Sequence, residues 1–206
     1  MNTIGILNFQ SSNSKPLLNT LKALGYQASL ISSPNSIINY DKLIIPGVGH
    51  IGALIHELEN GGYKESILKH IHSGKFMLGI CLGMHALTSG SDEDSHAKTL
   101  KVFSSEVSSM IPNPIMRVRV PHVGWNSVRY SEGHPLFKAI PQESDFYFVH
   151  SFAVTNVNNE TFAVTEHGNI FSSAIGLGNV FGVQFHPEKS QKYGEKLLSN
   201  FCELSF

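Results

Sequence analysis

The sequence predicts an α/β protein built on a doubly wound, mostly parallel sheet, to which a region of mixed or antiparallel strands is added. Three observations predict this class. Short apolar runs alternate with segments of helical periodicity over residues 1–90, as in stacked βα units. From about residue 100, strand-like runs follow one another with little helical periodicity. The 206 residues contain no linker, repeat or low-complexity tract, so we expect a single domain over 1–206.

The first half is expected to supply alternating strands and helices. The predicted strands are TIGILNF, QASLI, DKLIIPGVG and KFMLGI. Leucines recur at helical spacing over residues 17–24, and Gly25 follows them, which is typical of a helix and its C-terminal end. A further helix is predicted between Gly62 and Ser73.

The second half is expected to consist mainly of strands. The runs with strand character are VFSSEV, MRVRV, NSVRY, DFYFVHSFAV, TFAVTEH and NVFGVQF. The final stretch, SQKYGEKLLSNFCEL, places Tyr193, Leu197, Leu198 and Phe201 on one helical face. We therefore expect a terminal helix that packs Cys202 or its neighbours near the sheet.

The composition is that of a globular protein without a charge bias. Fifteen basic and sixteen acidic residues nearly cancel, so no global field indicates a nucleic acid or membrane partner. The start, MNTIGILNF, lacks the basic region of a signal peptide, and no apolar run is long enough to span a bilayer. Two cysteines do not form a disulfide framework. We expect a cytoplasmic protein with neither nucleic acid nor membrane as partner.

Cys81 lies in the stretch KFMLGICLGMHALTSG, between a predicted buried strand and a predicted helix. Flanking glycines allow strained dihedral angles at such a strand-to-helix turn. The start of the helix supplies N–H groups and positive potential that favour a thiolate and can hold an oxyanion. A free cysteine is also among the residues most often packed in a core. The pattern alone leaves both a nucleophile and an inert thiol open.

A nucleophilic cysteine needs a base, and the sequence has eleven histidines, most of them in polar loops. His186, in GVQFHPEKS, is different because it comes at the end of a predicted buried strand that Pro187 terminates. Glu188 follows two residues later and could orient the imidazole ring. Taken alone, a histidine at the end of a strand and beside a proline more often has a structural role than a catalytic one.

Five motifs together resemble one known family. They are IIPGVG, GICLGM, VPHVGWN, YFVHSF and FHPEKS, and they run through nearly the whole chain. The set resembles the class I glutamine amidotransferases. VPHVGWN and YFVHSF, with Lys189 and Ser190, resemble in particular the glutaminase subunits of imidazole glycerol phosphate synthases.

The resemblance implies a flavodoxin-like sheet and a thioester intermediate formed from L-glutamine, with no metal and no cofactor. Cys81 would attack the side-chain amide, His186 would act as general base and then acid, and Glu188 would orient His186. Backbone N–H groups would hold the oxyanion, at Leu82 and in the PGVG loop around Val48 and Gly49.

The resemblance also implies contacts to glutamine. Gly49, Ser151 and Phe152 would meet it largely through backbone groups, and Glu93 would pair with its α-amino group, although a solvated acid in SDEDS is the alternative for Glu93. His85 stands where the family usually has the glutamine of GMQ. An imidazole is shorter than that side chain and offers a single neutral donor.

The implied partner is a (β/α)8-barrel synthase that receives the ammonia. Its expected contacts in this chain are Pro121, His122, Trp125, Asn126 and Lys189, and the alternative for Trp125 is a core anchor. The stretch NFQSSNS replaces the usual YGxGN, which indicates a divergent member. Two other functions remain open: a paralogue that feeds an acetamidino-sugar amidotransferase of surface polysaccharide, and a catalytically weak regulatory or scaffold subunit.

Overall fold

The centre of the fold is a nine-stranded mixed sheet, seen in a computed structural model that describes residues 2–115 and 118–205. The strands are β1 (Ile4–Leu7), β2 (Ala28–Ile31), β3 (Lys42–Gly47), β4 (Phe76–Cys81), β5 (Gly90–Ser91), β6 (Glu106–Ser109), β7 (His122–Tyr130), β8 (Ser144–His150), β9 (Phe152–Ala153), β10 (Thr161–His167), β11 (Asn169–Leu177) and β12 (Val180–Val183). The α-helices are α1 (Ser14–Ala23), α2 (Ile51–Asn60), α3 (Tyr63–His72), α4 (Leu82–Leu87) and α5 (Gln191–Glu203).

The order of strands in the large sheet is β2-β1-β3-β4-β12-β11-β10-β7-β8. The neighbours from β2 to β12 run parallel, and every pairing from β12 to β8 is antiparallel. Strands β5, β6 and β9 form a small second sheet. The predicted fold class, a mostly parallel sheet with an added antiparallel region, is confirmed.

Helices cover both faces of the parallel half. Consecutive strand residues point to opposite faces, and the apolar residues of β1 divide accordingly. Ile6 belongs to a buried cluster that also contains Leu17 of α1 and Leu197 of α5. Leu7 belongs to a second cluster, which contains residues of α2, α3 and α4, among them Leu54. The sheet is therefore doubly wound, as the sequence predicted.

Three elements were not predicted: helix α2, the two-residue strand β5 and strand β11. Helix α2 buries Ile51, Leu54, Ile55 and Leu58, which have the spacing of an amphipathic helix. Strand β11 pairs antiparallel with β10 across a turn at Gly168, whose φ is +76°. The patterns of α2 and β11 are present in the sequence, and they follow so closely on neighbouring elements that they were not separated from them.

Several predicted strands were wrong in extent. The run NSVRY is only the end of β7, and the run DFYFVHSFAV divides into β8 and β9, which lie in different sheets. The run VFSSEV becomes a strand only at Glu106, because the backbone N–H groups of Ser104 and Ser105 donate to the carboxylate of Glu160 instead of a neighbouring strand. The run MRVRV begins with residues 116 and 117, which lie outside the described residues. Val118, in the same run, forms a single bridge with Asn113 and is not part of a strand.

The terminal helix is confirmed as α5, which buries Leu197, Leu198, Phe201 and Cys202. Lys42, at the start of β3, is itself almost fully buried and caps the end of this helix. Its Nζ atom donates to the carbonyl oxygens of Phe201 at 2.9 Å, Cys202 at 2.5 Å and Leu204 at 2.6 Å. Burial lowers the pKa of Lys42, and the three carbonyls compensate for the water that the ammonium has lost.

Parallel strands β3, β4 and β12 end side by side, and this edge positions the site. Gly47 pairs with Cys81 at the ends of β3 and β4, and Val183 of β12 pairs with Ile80 of β4. Ligand sites of open α/β sheets form beyond the carboxyl ends of parallel strands.

Over the two described ranges, no helix combines the length and apolar character that crossing a membrane requires.

Candidate active site

Cys81 forms the turn between β4 and α4. Its backbone has φ 53° and ψ −112°, a conformation that is strained for a residue with a side chain. The turn packs closely against β3: a Cβ atom on Gly83 would lie 1.8 Å from the carbonyl oxygen of Ile45, and one on Gly47 would lie 2.8 Å from the Gly83 nitrogen. The strained turn predicted for Cys81 is present, and glycines make it sterically possible.

His186 and Glu188 form a buried pair directly after β12. The His186 Nδ1 atom lies 2.9 Å from Glu188 Oε1, and both side chains are nearly inaccessible to solvent. Asn13 donates to the same carboxylate oxygen at 3.2 Å. Burial alone would raise the pKa of Glu188, but the hydrogen bond and charge of His186 outweigh it and lower that pKa. Glu188 therefore stays ionised and fixes the ring.

The second ring nitrogen of His186, Nε2, does not contact Glu188. His186 Nε2 is buried and has no hydrogen-bond partner within residues 2–115 and 118–205. Burial opposes a charge on the ring, but contact with Cys81 and with Glu188, and the negative charge on both, raise the pKa of His186 to about 10. The arrangement favours an imidazolium ring between a sulfur and a carboxylate.

One pocket is lined by most of the residues that the sequence predicts to be functional. It is lined by Val48, Gly49, Cys81, Leu82, His85, Glu93, Val149, His150, Ser151, Phe152 and His186. Every predicted oxyanion and substrate residue is among them. Glu188 is the one predicted residue of the catalytic set that does not line the pocket, because it lies behind His186.

The oxyanion loop differs from the expectation at one atom. The Val48 N–H donates to the carbonyl oxygen of Ser11 at 2.9 Å, so it is not free for an oxyanion in this conformation. Ser11 is held in place because both its N–H and its hydroxyl donate to the carboxylate of Glu57. Gly49, next in the loop, has φ +93°, which glycine adopts without strain.

Two predicted substrate residues also have partners inside the protein. Glu93 Oε2 accepts the backbone N–H of Ile51 at 2.9 Å at the start of α2, so the side chain is not the solvated acid considered as the alternative. His85 Nε2 lies 2.8 Å from Gln184 Oε1. Burial lowers the pKa of His85 to about 4, although the bond to Gln184 opposes this. His85 is therefore neutral at physiological pH.

Three residues at the site were not predicted from the sequence. Val149 and His150 line the pocket, and the Cys81 sulfur lies 4.0 Å from the Val149 carbonyl oxygen. Gln184 lies against the same sulfur, with Nε2 at 3.7 Å. Strand periodicity could have indicated Gln184, since residues two apart share a face and His186 is two residues on.

A mainly apolar surface adjoins the pocket. We call it the β7–β8 surface and define it by Val123, Trp125, Tyr147, Val149 and Lys189. Val123 pairs with Val149 and Trp125 with Tyr147 across the two strands. Val123 is 56% exposed, Val149 37% and Trp125 47%. The Lys189 ammonium lies 5.7 Å from the Tyr147 ring centre. Trp125 is therefore at the surface and is not a core anchor.

His122 does not lie on that surface, contrary to the expectation that it contacts a partner. It is buried because alternate residues of β7 point inward, while Val123 and Trp125 point outward. Pro121 is exposed, and Asn126 is half-buried. The Asn126 amide donates to the carbonyl oxygen of Glu166 and lies 3.2 Å from His122 Nε2.

The comparisons with known proteins agree with this geometry. The family model described as glutamine amidotransferase class-I matches residues 5–204, and the chain belongs to this family. Within it, the chain is similar to proteins named imidazole glycerol phosphate synthase subunit HisH. The identity is 40% with that of Photorhabdus laumondii, covering 97% of this chain and 98% of the relative. It is 38% with that of Methanosarcina barkeri, covering 99% and 100%.

Solved structures show the same fold at lower identity. A structure titled as a glutamine amidotransferase matches with a TM-score of 0.76 and 17% identity, over 98% of this chain and 97% of the other. The structure of PurLQS from Thermotoga maritima matches with a TM-score of 0.74 and 16% identity, over 98% of each chain.

In the part of the chain that the structure describes, no three His, Cys, Asp or Glu residues are grouped to hold a metal ion.

Proposed function

We propose that this chain is the glutamine-hydrolysing subunit of an imidazole glycerol phosphate synthase, which acts in histidine biosynthesis. The observation that carries the proposal is the arrangement of Cys81, His186 and Glu188 at one pocket, in a chain about 40% identical to HisH subunits over nearly its full length. The enzyme releases ammonia from L-glutamine and passes it to a synthase subunit.

Cys81 acts as the nucleophile. Its sulfur attacks the side-chain amide carbon of glutamine, a tetrahedral intermediate forms, and the C–N bond breaks as His186 gives its proton to the leaving ammonia. Water then attacks the thioester while His186 takes up a proton, and the C–S bond breaks to return the sulfur and release glutamate. Glu188, 2.9 Å from His186 Nδ1, stabilises the imidazolium in both halves of the cycle.

The oxyanion is held by backbone N–H groups. Leu82, at the first position of α4, lines the pocket beside the nucleophile and supplies one of them. The second comes from the loop at Val48 and Gly49, where the Val48 N–H is engaged by Ser11. We therefore expect the isolated subunit to hydrolyse glutamine slowly, since one missing donor of this kind costs roughly 100-fold to 1,000-fold in rate.

Glutamine is bound by the remaining pocket residues. Gly49, Ser151 and Phe152 offer backbone groups along one wall, and Glu93 offers a carboxylate for the α-amino group while it also caps α2. His85 Nδ1 is buried and has no hydrogen-bond partner among the residues described, so it is available to accept an N–H of the substrate.

The synthase partner, which we propose to be a (β/α)8 barrel, docks on the β7–β8 surface. Val149 belongs to both that surface and the pocket, so a partner seated there lies next to Cys81 and can receive the ammonia released at it. A patch of exposed aromatic and aliphatic side chains is typical of docking sites. Exposed Pro121 borders the same surface, whereas Asn126 turns to the opposite face of β7, where its amide lies 3.2 Å from His122 Nε2. The reaction needs no cofactor, and a reducing cytoplasm keeps Cys81 a free thiol.

A steady-state glutaminase assay tests the proposal. Ammonia release from glutamine is measured for the chain alone, with an imidazole glycerol phosphate synthase barrel, and with the synthase subunit of an acetamidino-sugar amidotransferase. We expect the first barrel, with its sugar-phosphate ligand, to accelerate the reaction. Activation by the second subunit alone would assign the chain to the paralogous branch. Absence of activity in every mixture would identify a regulatory or scaffold subunit.

A further inference from the structure

Gln184 lies beside the nucleophile at the end of the neighbouring strand. Val183 of β12 pairs with Ile80 of β4 in parallel register, so the next positions, Gln184 and Cys81, are adjacent. The Gln184 side chain is fully buried. Its Nε2 atom is 3.7 Å from the Cys81 sulfur, and its Oε1 atom is 2.8 Å from Nε2 of His85. A three-residue chain therefore runs from His85 to the sulfur.

The direction of this chain follows from the groups in it. An amide oxygen only accepts hydrogen bonds, so His85 must donate from Nε2 to Gln184. His85 is neutral, because burial above all lowers its pKa to about 4, and its Nδ1 therefore carries a lone pair. With its oxygen bound to His85, the Gln184 amide has its NH2 group against the sulfur.

We propose that the Gln184 amide donates a hydrogen bond to the Cys81 sulfur and stabilises its thiolate, and that His85 holds the amide in this orientation. The inference rests on the proposed function only for the identity of Cys81 as the nucleophile. Gln184 touches the reacting atom and is a catalytic residue in that sense. His85 acts through Gln184 and is a positioning residue, in addition to any contact that it makes with glutamine.

The chemistry explains why an amide suits this place. A thiolate in a buried site needs donors to replace water, and hydrogen bonds to charged groups are the stronger ones. An amide N–H does not titrate near neutral pH, so Gln184 stabilises the charge without competing with His186 for the proton. When water has attacked the thioester and the C–S bond breaks, the electron pair returns to sulfur, where the same N–H stabilises it.

Alkylation of Cys81 by iodoacetamide tests the inference. The full-length chain carries Cys202→Ala so that a single thiol reacts, and the rate is recorded against pH with and without Gln184→Met. Met keeps the volume and has no donor. We expect the rate near neutral pH to fall about 10-fold and the profile to move to higher pH. Gln142→Met, the same change at an exposed glutamine, is the control and should leave the profile unchanged.

Substitutions of His85 test the orientation separately. His85→Leu removes the donor that fixes the amide, so the profile should move in the same direction by a smaller amount. His85→Gln keeps an N–H that can reach Gln184 and should restore most of the rate. Circular dichroism checks that each variant is folded, and the His85 pair decides the question if Gln184→Met does not fold.

An unchanged alkylation profile in Gln184→Met would overturn the inference, as would equal profiles for His85→Leu, His85→Gln and the parent in the absence of a folded Gln184→Met. Alkylation uses neither glutamine nor a partner, so its result is independent of the glutaminase assay. A shifted profile in a chain that hydrolyses no glutamine would leave the inference in place and reject only the proposed function.

Discussion

His122 Nδ1 and His150 Nε2 lie 3.0 Å apart, where the two residues pair directly across β7 and β8. His150 Nδ1 is 2.9 Å from the carbonyl oxygen of Phe152, so this nitrogen must be the donor. The remaining nitrogen of His150 then accepts from His122, provided that both rings are neutral. A chain of neutral imidazoles thus runs beneath the β7–β8 surface to the backbone that lines the pocket.

This pair predicts a loss of stability in acid. Burial, aided by neighbouring imidazoles, lowers the pKa of His122 to about 4 and that of His150 to about 3, from 6.5 in the unfolded chain. Between these values the unfolded chain binds more protons than the folded one, so the free energy of unfolding should decrease as the pH falls from about 6.5 to about 4. His186 does not offset this, because its raised pKa gives stability that is fully present below 6.5.

Urea unfolding midpoints measured over that pH range check the prediction. His150→Gln, which cannot be protonated, should flatten the dependence. His72→Gln, at an exposed histidine, should not. A dependence that is as steep in His150→Gln as in the parent chain would show that His150 is not among the groups that take up protons on unfolding.

Cys81→Ala should abolish glutamine-dependent turnover while the complex with its synthase still uses added ammonium. The reason is that only the step that produces ammonia needs the sulfur. Product formation is measured with glutamine and with ammonium as separate nitrogen sources. Cys202→Ala is the matched control, because Cys202 is buried in α5 and should leave glutamine use intact. Equal loss of both activities in Cys81→Ala would contradict the assignment.

His186→Ala should reduce kcat with glutamine nearly as much as Cys81→Ala, since it removes the only group in the proposed mechanism that carries the proton. Glu188→Gln should be milder, because its amide oxygen can still accept from His186 Nδ1 while the negative charge is lost. Steady-state kinetics of the assembled complex measures both. If Glu188→Gln proved the more damaging change, the two roles would be wrongly divided.

Lys189→Ala should weaken docking of the synthase or the activation that follows from it, without changing the fold. We expect the dissociation constant to rise about 3-fold to 10-fold, as for one charge at the rim of an interface. Titration calorimetry with the barrel measures it. The control is Lys69→Ala, at an exposed lysine of α3 whose Nζ atom lies 4.0 Å from Glu65 Oε2. Unchanged affinity and activation would place Lys189 on an ordinary solvated surface.

The sequence predicted the parts of the site that depend on local backbone constraints. Cys81 could be placed at a strained turn because glycines flank it, and His186 at a strand end because Pro187 follows it. The role of each residue was predicted only from the resemblance to the family. The contact of Gln184 with the Cys81 sulfur and the pairing of His122 with His150 could not be predicted in this way. These contacts depend on the register of β12 against β4 and of β7 against β8, which only the assembled sheet defines.

The orientation of the oxyanion loop is likewise a tertiary property. The Val48 N–H meets Ser11 because Glu57, in helix α2, holds the Ser11 backbone. Nothing within the IIPGVG motif specifies this bond. For the same reason, the burial of His122 follows from the face that β7 turns to the sheet interior, which the motif VPHVGWN does not reveal.

The ammonium of Lys42 has a consequence for the order in which the chain acquires its structure during synthesis. Its nearest carbonyl partner in sequence is 159 positions away, at Phe201. While the ribosome is still translating the second half, this charge has none of its three acceptors, and burying it without them is costly. We therefore expect the start of β3 to remain hydrated in the nascent chain, and the parallel half of the sheet to close only after residues 201–204 have emerged.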